Sequence, residues 1–274
     1  MLGTVTGSEQ TALETLRKIK AAGYDGIELN SFQIHKTTFL VRLLTRAAGM
    51  PSGKGGSYDW HRLVKEADLE VISLHTDLGS LKRDPENAAE EAKSFGTSFI
   101  VITGMYRFDY TSREALDGLC RDLNNAGAAL AAEGITLLYH NHNAEFLKVQ
   151  GDDFCAYDYI LSHTDSAFVN FELDTYWPAE AGVDVVRLME KVGSRMKLWH
   201  VTDRGNRQHG PVMTPILKSD SVELGTGNMP LEKLLETAKE LGAQAAILET
   251  HKNWIEKSPL KSMEISGKWL SERI

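Results

Sequence analysis

The stretch Gly134–Phe146, G-I-T-L-L-Y-H-N-H-N-A-E-F, joins an apolar run to a polar cluster. A short apolar run that follows a glycine predicts a buried β-strand. The polar residues stand where this strand would leave the core. Imidazole and carboxylate groups pack poorly against apolar neighbours, but they can bind a metal ion or transfer a proton. The members of the cluster are His140, Asn141, His142, Asn143 and Glu145.

The same order of strand, polar strand end and amphipathic helix recurs along the chain. Strands are predicted at 2–5, 24–30, 69–75, 96–104, the opening stretch, 167–174, 196–201 and 244–249. Helices are predicted at 11–21, 39–48, 59–67, 85–94, 111–133, 157–162, 183–192 and 231–241. This alternation predicts a parallel sheet with helices on its faces. About eight repeats in a chain of this length predict an α/β (β/α)8 TIM barrel, with residues 1–274 forming a single domain.

A doubly wound sheet is the alternative fold, and it usually carries a glycine-rich phosphate turn after an early strand. The glycines at 53–56 do not follow a predicted strand, and those at 225–227 fall within a predicted loop over 204–228. Both groups are therefore interpreted as loop glycines.

Composition limits the choice of partners and compartment. The net charge is −8, which disfavours nucleic acid as a partner. Two cysteines, Cys120 and Cys155, do not make a disulfide framework and are predicted to be reduced thiols. The sequence has no apparent signal peptide or membrane span, so a cytoplasmic protein with no membrane contact is expected.

Almost every predicted strand ends in a group able to do chemistry, and a barrel gathers such strand ends at one face. Glu145, Asp174, His200 and Glu249 together offer three carboxylates and one imidazole. Hard oxygen donors with one nitrogen suit a divalent ion. The predicted cofactor is one such ion, Mn²⁺ first, with Mg²⁺, Co²⁺ and Zn²⁺ as alternatives. The absence of cysteine from this set counts against a structural zinc site.

The chain resembles the xylose-isomerase-like TIM-barrel superfamily, which includes sugar phosphate isomerases/epimerases and shares its fold with AP endonuclease family 2. The resemblance covers nearly the whole chain. Its motifs are G-Y-D-G-I-E-L (23–29), I-S-L-H (72–75), Y-H-N-H-N-A-E-F (139–146), F-E-L-D-T-Y-W (171–177), W-H-V-T-D (199–203), E-L-G-T-G-N (223–228) and I-L-E (247–249).

The resemblance implies that Glu145, Asp174, His200 and Glu249 hold the metal. Many relatives carry the first glutamate inside the strand, where this chain has Tyr139 and His140. His140 or His142 is therefore an alternative first ligand. A further departure is Val201-Thr202 in place of the x-Lys that often precedes the aspartate after this histidine.

The activity implied is that of a sugar isomerase or epimerase acting on a ketose or keto-sugar through a metal-bound enediolate. Glu249 is the expected proton-transfer group on one side, with Glu145 or His142 opposite. Substrate contacts are expected from His75, His140, Trp177 and Arg204. Further candidates for the mouth of the barrel are Phe146, Trp199 and Tyr106, and candidates for an anionic substrate group are His209 and Lys252.

Three other functions are compatible with the sequence. The first is a lyase, dehydratase or hydratase acting on a keto-glycoside or inosose, since a histidine base also suits β-elimination. The others are an abasic-site endonuclease and a non-catalytic sugar-binding barrel. The expected partner is a small-molecule sugar, with no nucleic acid, and association into a homo-oligomer is left open.

Overall fold

The computed structural model describes residues 2–35, 58–207 and 210–274. The predicted helix over 39–48, the glycines at 53–56 and His209 lie outside the described residues.

The described strands are β1 Gly26–Asn30, β2 Glu70–Thr76, β3 Phe99–Thr103, β4 Thr136–His140, β5 Val169–Asp174, β6 Met196–Val201, β7 Asp203–Gly205, β8 Asp220–Val222 and β9 Ala245–Leu248. The described α-helices are α1 Leu2–Val5, α2 Glu9–Ala21, α3 Ser31–Ile34, α4 Trp60–Glu66, α5 Leu78–Arg83, α6 Pro85–Ser94, α7 Arg113–Ala132, α8 Ala156–His163, α9 Tyr176–Glu180, α10 Val185–Val192, α11 Leu231–Glu240 and α12 Pro259–Ser271. Short 3₁₀ turns cover Ala144–Phe146, Gly193–Arg195 and Ile255–Lys257.

The chain divides into two compact units, each built from separate stretches of sequence. Unit 1 comprises Met1–Val71, Val201–Leu231 and Leu248–Ile274. Unit 2 comprises Ile72–His200 and Glu232–Ile247. The single domain expected from the sequence stays a prediction.

Unit 2 contains the greater part of a parallel sheet. Its strands follow the order β2-β3-β4-β5-β6-β9, and the consecutive pairs from β2 to β6 are parallel. Helices lie between successive strands in the chain, as parallel connections require. This order of parallel strands and helices is that of a TIM barrel, so the predicted fold class is confirmed.

Unit 1 contains β1 and the start of β2, where the Glu70 amide donates to the Asp25 carbonyl at 2.9 Å. The sheet thus has seven strands in the described residues, with β1 beside β2. The strand predicted at 2–5 is wrong, because these residues form α1. The Thr6 hydroxyl closes this helical turn on the Leu2 carbonyl, and the Thr15 hydroxyl donates to the Val5 carbonyl. Side chains therefore satisfy carbonyls that a strand partner would otherwise bind.

An apolar layer lies beneath the polar strand ends in unit 2. Val101, Leu138 and Leu198 are completely buried and pack together. Leu138 precedes His140 by two residues, and Leu198 precedes His200 by two. Because side chains alternate along a strand, each leucine shares a strand face with its histidine. The hydrophobic layer therefore supports a polar layer one step nearer the strand ends.

Side-chain caps set the predicted helix starts. Ser8, Asp59 and Ser112 each accept a backbone N–H from the first turn of α2, α4 and α7. Such caps satisfy amides that have no partner within the helix. Gly134, with φ of +74°, stands two residues after the end of α7. These helix boundaries were readable from local sequence.

The predicted loop over 204–228 contains a small antiparallel ribbon, in which β7 pairs with β8. The buried Asp203 carboxylate accepts the backbone N–H groups of Arg204, Gly225, Gly227 and Met229 at 2.8–3.1 Å. A Cβ on Gly227 would lie 2.4 Å from the nearer Asp203 oxygen. These glycines therefore let the backbone close around a carboxylate of the same chain, consistent with the interpretation as loop glycines.

Within the described part of the chain, no helix combines the length and apolar character that a membrane crossing requires.

Candidate metal centre

Strand register in unit 2 brings the polar residues of three neighbouring strands side by side. His140 at the end of β4 is paired with Glu172 on β5, and Asp174 at the end of β5 is paired with His200 on β6. The pairing of β5 with β6 shifts register between Phe171 and Glu172. A bulge of this kind re-aims the side chains that follow it.

Three of these residues converge. His140, Asp174 and His200 each offer one ligand atom, and these atoms lie within 4.8 Å of one another. All three residues are at most 2% exposed. Two imidazole nitrogens and a carboxylate oxygen form a donor set that divalent transition ions accept. The residues present therefore fit the metal ion that the sequence predicts, with His140 in the group.

The Asp174 carboxylate is held in a fixed direction. Its Oδ1 accepts the backbone N–H groups of Tyr176 at 2.7 Å and Trp177 at 3.1 Å. The buried Asn141 amide side chain exchanges two hydrogen bonds of 3.1 Å with the backbone N–H and carbonyl of Asp174. These hydrogen bonds therefore connect the carboxyl ends of β4 and β5 at Asp174.

Glu172 lies beside three imidazoles. Its Oε2 is 3.1 Å from His140 Nδ1, 3.2 Å from His200 Nε2 and 3.4 Å from His75 Nε2. The side chain is completely buried, and neither oxygen accepts a hydrogen bond of good geometry from a described residue. A buried carboxylate needs a compensating charge or hydrogen-bond donors, and among these contacts the imidazoles are the source of donors.

His75 at the end of β2 belongs to the same cluster. Its ring is stacked on that of His200 with centroids 6.0 Å apart and an interplanar angle of 28°. His75, Glu172 and His200 also have ligand atoms within 4.8 Å of one another. The expected contact between His75 and a substrate hydroxyl stays a prediction, and the described contacts place the ring against Glu172.

Glu145 is not among the residues whose ligand atoms lie within 4.8 Å of one another, and its carboxylate is engaged in hydrogen bonds. Its Oε1 accepts the Tyr139 hydroxyl at 2.9 Å, and its Oε2 accepts the His142 backbone N–H at 3.1 Å. Burial raises the pKa of the Glu145 carboxyl, although these two hydrogen bonds oppose the rise. Gly104 leaves room for this arrangement, since a Cβ there would lie 2.8 Å from Oε1. The assignment of Glu145 as a metal ligand stays a prediction. The residue of this stretch that belongs to the converging group is His140.

His142 lies next to the converging group and is only half-buried. Its ring centroid is 5.0 Å from that of His140 and 5.8 Å from the ring of Trp177. An imidazole that is partly accessible and adjacent to a metal site is placed to exchange protons with a bound molecule. Trp177, also half-buried, offers an aromatic face beside it.

Glu249 and Arg204 belong to unit 1. Glu249 directly follows β9, is half-buried, and has its Oε1 3.4 Å from His251 Nε2. Its backbone is fixed by the Thr202 hydroxyl, which donates to its carbonyl. The backbone of Arg204 takes part in the loop around Asp203. The metal and proton-transfer roles of Glu249 and the substrate role of Arg204 stay predictions.

The remaining candidates differ in accessibility. Trp199 is completely buried and donates its indole N–H to the Thr175 hydroxyl, so it is a core residue. Tyr106 is 68% exposed. Phe146 is stacked on Tyr157, and Lys252 forms an ion pair with Asp220 at 3.2 Å.

Glu172 and Asn141 are the polar residues of this cluster whose roles the sequence did not indicate. Glu172 precedes Asp174 by two residues within F-E-L-D, which places both on one face of β5. A charged residue inside a strand whose residues are all buried was the feature that could have indicated a role for Glu172. Asn141 acts on the backbone of a neighbouring strand, and no spacing in the sequence indicates that contact.

Comparison with known proteins agrees with the fold. Residues 16–273 match the family model described as "Xylose isomerase-like TIM barrel". Inosose dehydratase from Mesomycoplasma hyopneumoniae (strain 7448) is 30% identical over 94 residues, which cover 34% of this chain and 30% of that protein. The matched part therefore spans less than a third of this relative.

Solved structures share the fold at low identity. A sugar phosphate isomerase/epimerase from Parabacteroides distasonis superposes with a TM-score of 0.73 at 21% identity, covering 95% of this chain and 88% of that one. The IOLI protein, solved with a zinc atom, has a TM-score of 0.64 at 13% identity and covers 99% and 95% of the two chains.

Proposed function

Because the chain belongs to the xylose isomerase-like TIM barrel family, we propose that it is a divalent-metal-dependent isomerase or epimerase acting on a ketose or keto-sugar. The observation that carries the proposal is the convergence of His140, Asp174 and His200 at the ends of three neighbouring strands. Similar proteins named as a sugar phosphate isomerase/epimerase and as an inosose dehydratase support a sugar substrate.

The proposed ligands are His140, Asp174 and His200, with Glu249 as the fourth. A bound divalent ion would act as a Lewis acid toward the carbonyl and hydroxyl oxygens of the sugar. Mn²⁺ is the first choice for the ion, and the zinc in the IOLI structure supports Zn²⁺ as an alternative.

Proton transfer is proposed for His142 and Glu249. One group removes the proton from the carbon beside the carbonyl, and the other returns a proton to the neighbouring carbon or to the opposite face. Glu145 positions His142, because its carboxylate accepts the His142 backbone N–H and so fixes the turn that carries the imidazole. His75, Trp177 and Arg204 are the proposed substrate contacts.

A dehydratase or lyase acting on a keto-sugar is the second candidate, and His142 favours it. After the proton has been removed, an imidazolium beside the substrate can protonate a departing hydroxyl or glycosyl oxygen. Both candidates exchange the proton next to the carbonyl with solvent. Incubation in D₂O of a free ketose and of a 3-keto-glucoside, each with added Mn²⁺, separates them by product. Deuterium in an isomerised sugar supports the first candidate, and an eliminated product supports the second.

Metal content of the purified protein tests the central claim, with Asp174→Asn as the variant. Asparagine keeps the oxygen that accepts the Tyr176 and Trp177 amides, so the start of α9 is preserved while the negative charge is lost. We expect one divalent ion per chain in the parent protein and an affinity at least about 10-fold weaker in the variant. If the parent protein takes up no divalent ion from a Mn²⁺- or Zn²⁺-containing buffer, the proposed function is wrong.

A further inference from the structure

The completely buried Glu172 carboxylate lies beside two of the proposed ligands, His140 and His200. Its Oε2 is 3.1 Å from Nδ1 of His140 and 3.2 Å from Nε2 of His200. These are different ring atoms, one δ and one ε nitrogen. An imidazole that binds a metal through one nitrogen commonly donates its other N–H to a carboxylate or carbonyl.

We propose that Glu172 is a positioning residue that sets the tautomers of His140 and His200. In the metal-loaded protein it accepts Nδ1–H of His140 and Nε2–H of His200, which leaves His140 Nε2 and His200 Nδ1 as the ligand atoms. The inference rests on the proposed metal centre and adds to it the identity of the donor atoms and the residue that selects them.

Burial supports this role. Glu172 is 0% exposed, and neither of its oxygens receives a hydrogen bond of good geometry from any described residue. A carboxylate in such a place is expensive unless donors face it. The imidazole N–H groups supply the donors, and they become better donors when the opposite nitrogen gives electron density to a cation. Metal binding and the contacts of Glu172 therefore strengthen each other.

Strand geometry supports the same assignment. His140 is paired with Glu172 across β4 and β5, while His200 is paired with Asp174 across β5 and β6. Asp174, two residues beyond Glu172, lies on the same strand face and nearer the strand end. Asp174, the proposed metal ligand, thus lies nearer the strand end. Glu172, which orients the imidazoles, lies two residues deeper in β5. Nε2 of His75, 3.4 Å from the same oxygen, is a third imidazole nitrogen beside Glu172.

The test compares the parent protein with Glu172→Gln, which keeps the volume of the side chain and removes its charge. Zn²⁺ affinity is measured by competition with a chelator, and the melting temperature is measured on the metal-free proteins. We expect Zn²⁺ binding to weaken by about 10- to 100-fold. The number of ions bound at saturation and the melting temperature without metal are expected not to fall. A purely structural glutamate would lower the melting temperature without metal.

Nitrogen-15 NMR of histidine side chains in the Zn²⁺-loaded protein gives a second readout. In the parent protein we expect the proton on Nδ1 of His140 and on Nε2 of His200, and in Glu172→Gln we expect this pattern to be lost. Glu223→Gln is the matched control, because Glu223 is also completely buried but binds Arg207 in unit 1. Its Zn²⁺ affinity should equal that of the parent.

Two results would overturn the inference. One is an unchanged Zn²⁺ affinity with unchanged tautomers in Glu172→Gln. The other is loss of one of two bound ions in that variant, which would make Glu172 a ligand of a second ion. If Glu172→Gln does not fold, Glu172→Asp replaces it, since aspartate keeps the charge and withdraws the oxygens by one methylene, and the same weakening is expected. Failure of the parent protein to bind Zn²⁺ at all would instead contradict the proposed function.

Discussion

Three buried carboxylates in this protein are stabilised by three different kinds of donor. Asp203 is surrounded by backbone N–H groups, Glu145 binds a tyrosine hydroxyl and an amide, and Glu172 faces imidazoles. Backbone amides and tyrosine hydroxyls keep their protons near neutral pH. Imidazoles can bind metal or titrate, so Glu172 is the carboxylate whose surroundings point to function.

Glu223 offers a residue-scale prediction about pH. Burial raises the pKa of its carboxyl, but hydrogen bonds from Arg207 and the Ile255 amide outweigh burial and hold the pKa below its usual value. A carboxyl with a lowered pKa in the folded state stabilises the protein above its unfolded-state pKa. That stability is lost as the pH falls through the folded-state value.

We therefore expect Glu223→Gln to lower the free energy of unfolding by about 2 kcal/mol at pH 7. The difference from the parent should shrink as the pH is lowered below about 4. Urea denaturation at a series of pH values measures it. A difference that stays constant or grows on acidification would show that the charge of Glu223 does not contribute.

At the scale of elements, the strand ends were readable from local sequence because apolar runs and polar exits are properties of consecutive residues. The exception is α1, predicted as a strand from four residues. Its hydroxyl caps come from Thr6 and from Thr15 in α2. Thr15 is ten residues from the Val5 carbonyl that it binds, so a short window of sequence contains only the Thr6 contact.

Helix α7 provides an element-scale prediction with its own control. A Cβ at Gly127 would lie 2.4 Å from the Phe168 carbonyl oxygen, whereas a Cβ at Gly118 would meet no atom within 4 Å. We expect Gly127→Ala to destabilise the protein by about 1–3 kcal/mol, since the segment before β5 must move away. Gly118→Ala should stabilise it by up to about 1 kcal/mol through better helix propensity.

Urea midpoints of the two variants measure the contrast within one helix. Equal effects of the two substitutions would contradict the close approach of α7 to Phe168, because helix propensity alone treats both positions alike.

At the scale of the whole molecule, an ion that binds only the folded protein must stabilise it. The net charge of −8 and the cluster of buried carboxylates and imidazoles favour a cation. At a free Mn²⁺ concentration of about 100 times its dissociation constant, the stabilisation is about 2.7 kcal/mol. For a chain of this size we expect the melting temperature to rise by about 5 °C.

Calorimetry with Mn²⁺, and then with excess chelator, measures this change. The shift should be reversed by the chelator and should be strongly reduced in Asp174→Asn. An equal shift in the parent and in Asp174→Asn would place the ion elsewhere in the protein.

The sequence by itself determined the α/β class, the alternation of strands and helices, the helix caps at Ser8 and Asp59, and the strand ends that carry Asp174 and His200. These features depend on neighbouring residues, through apolar periodicity and local hydrogen bonds. Only the tertiary structure decided that His140 joins Asp174 and His200, that Glu145 is bound to Tyr139, and that Glu172 faces three imidazoles. Those contacts depend on strand register and on the register shift between β5 and β6. A shift of one residue in pairing turns every side chain to the opposite face, and register is set by packing between strands that are far apart in the sequence.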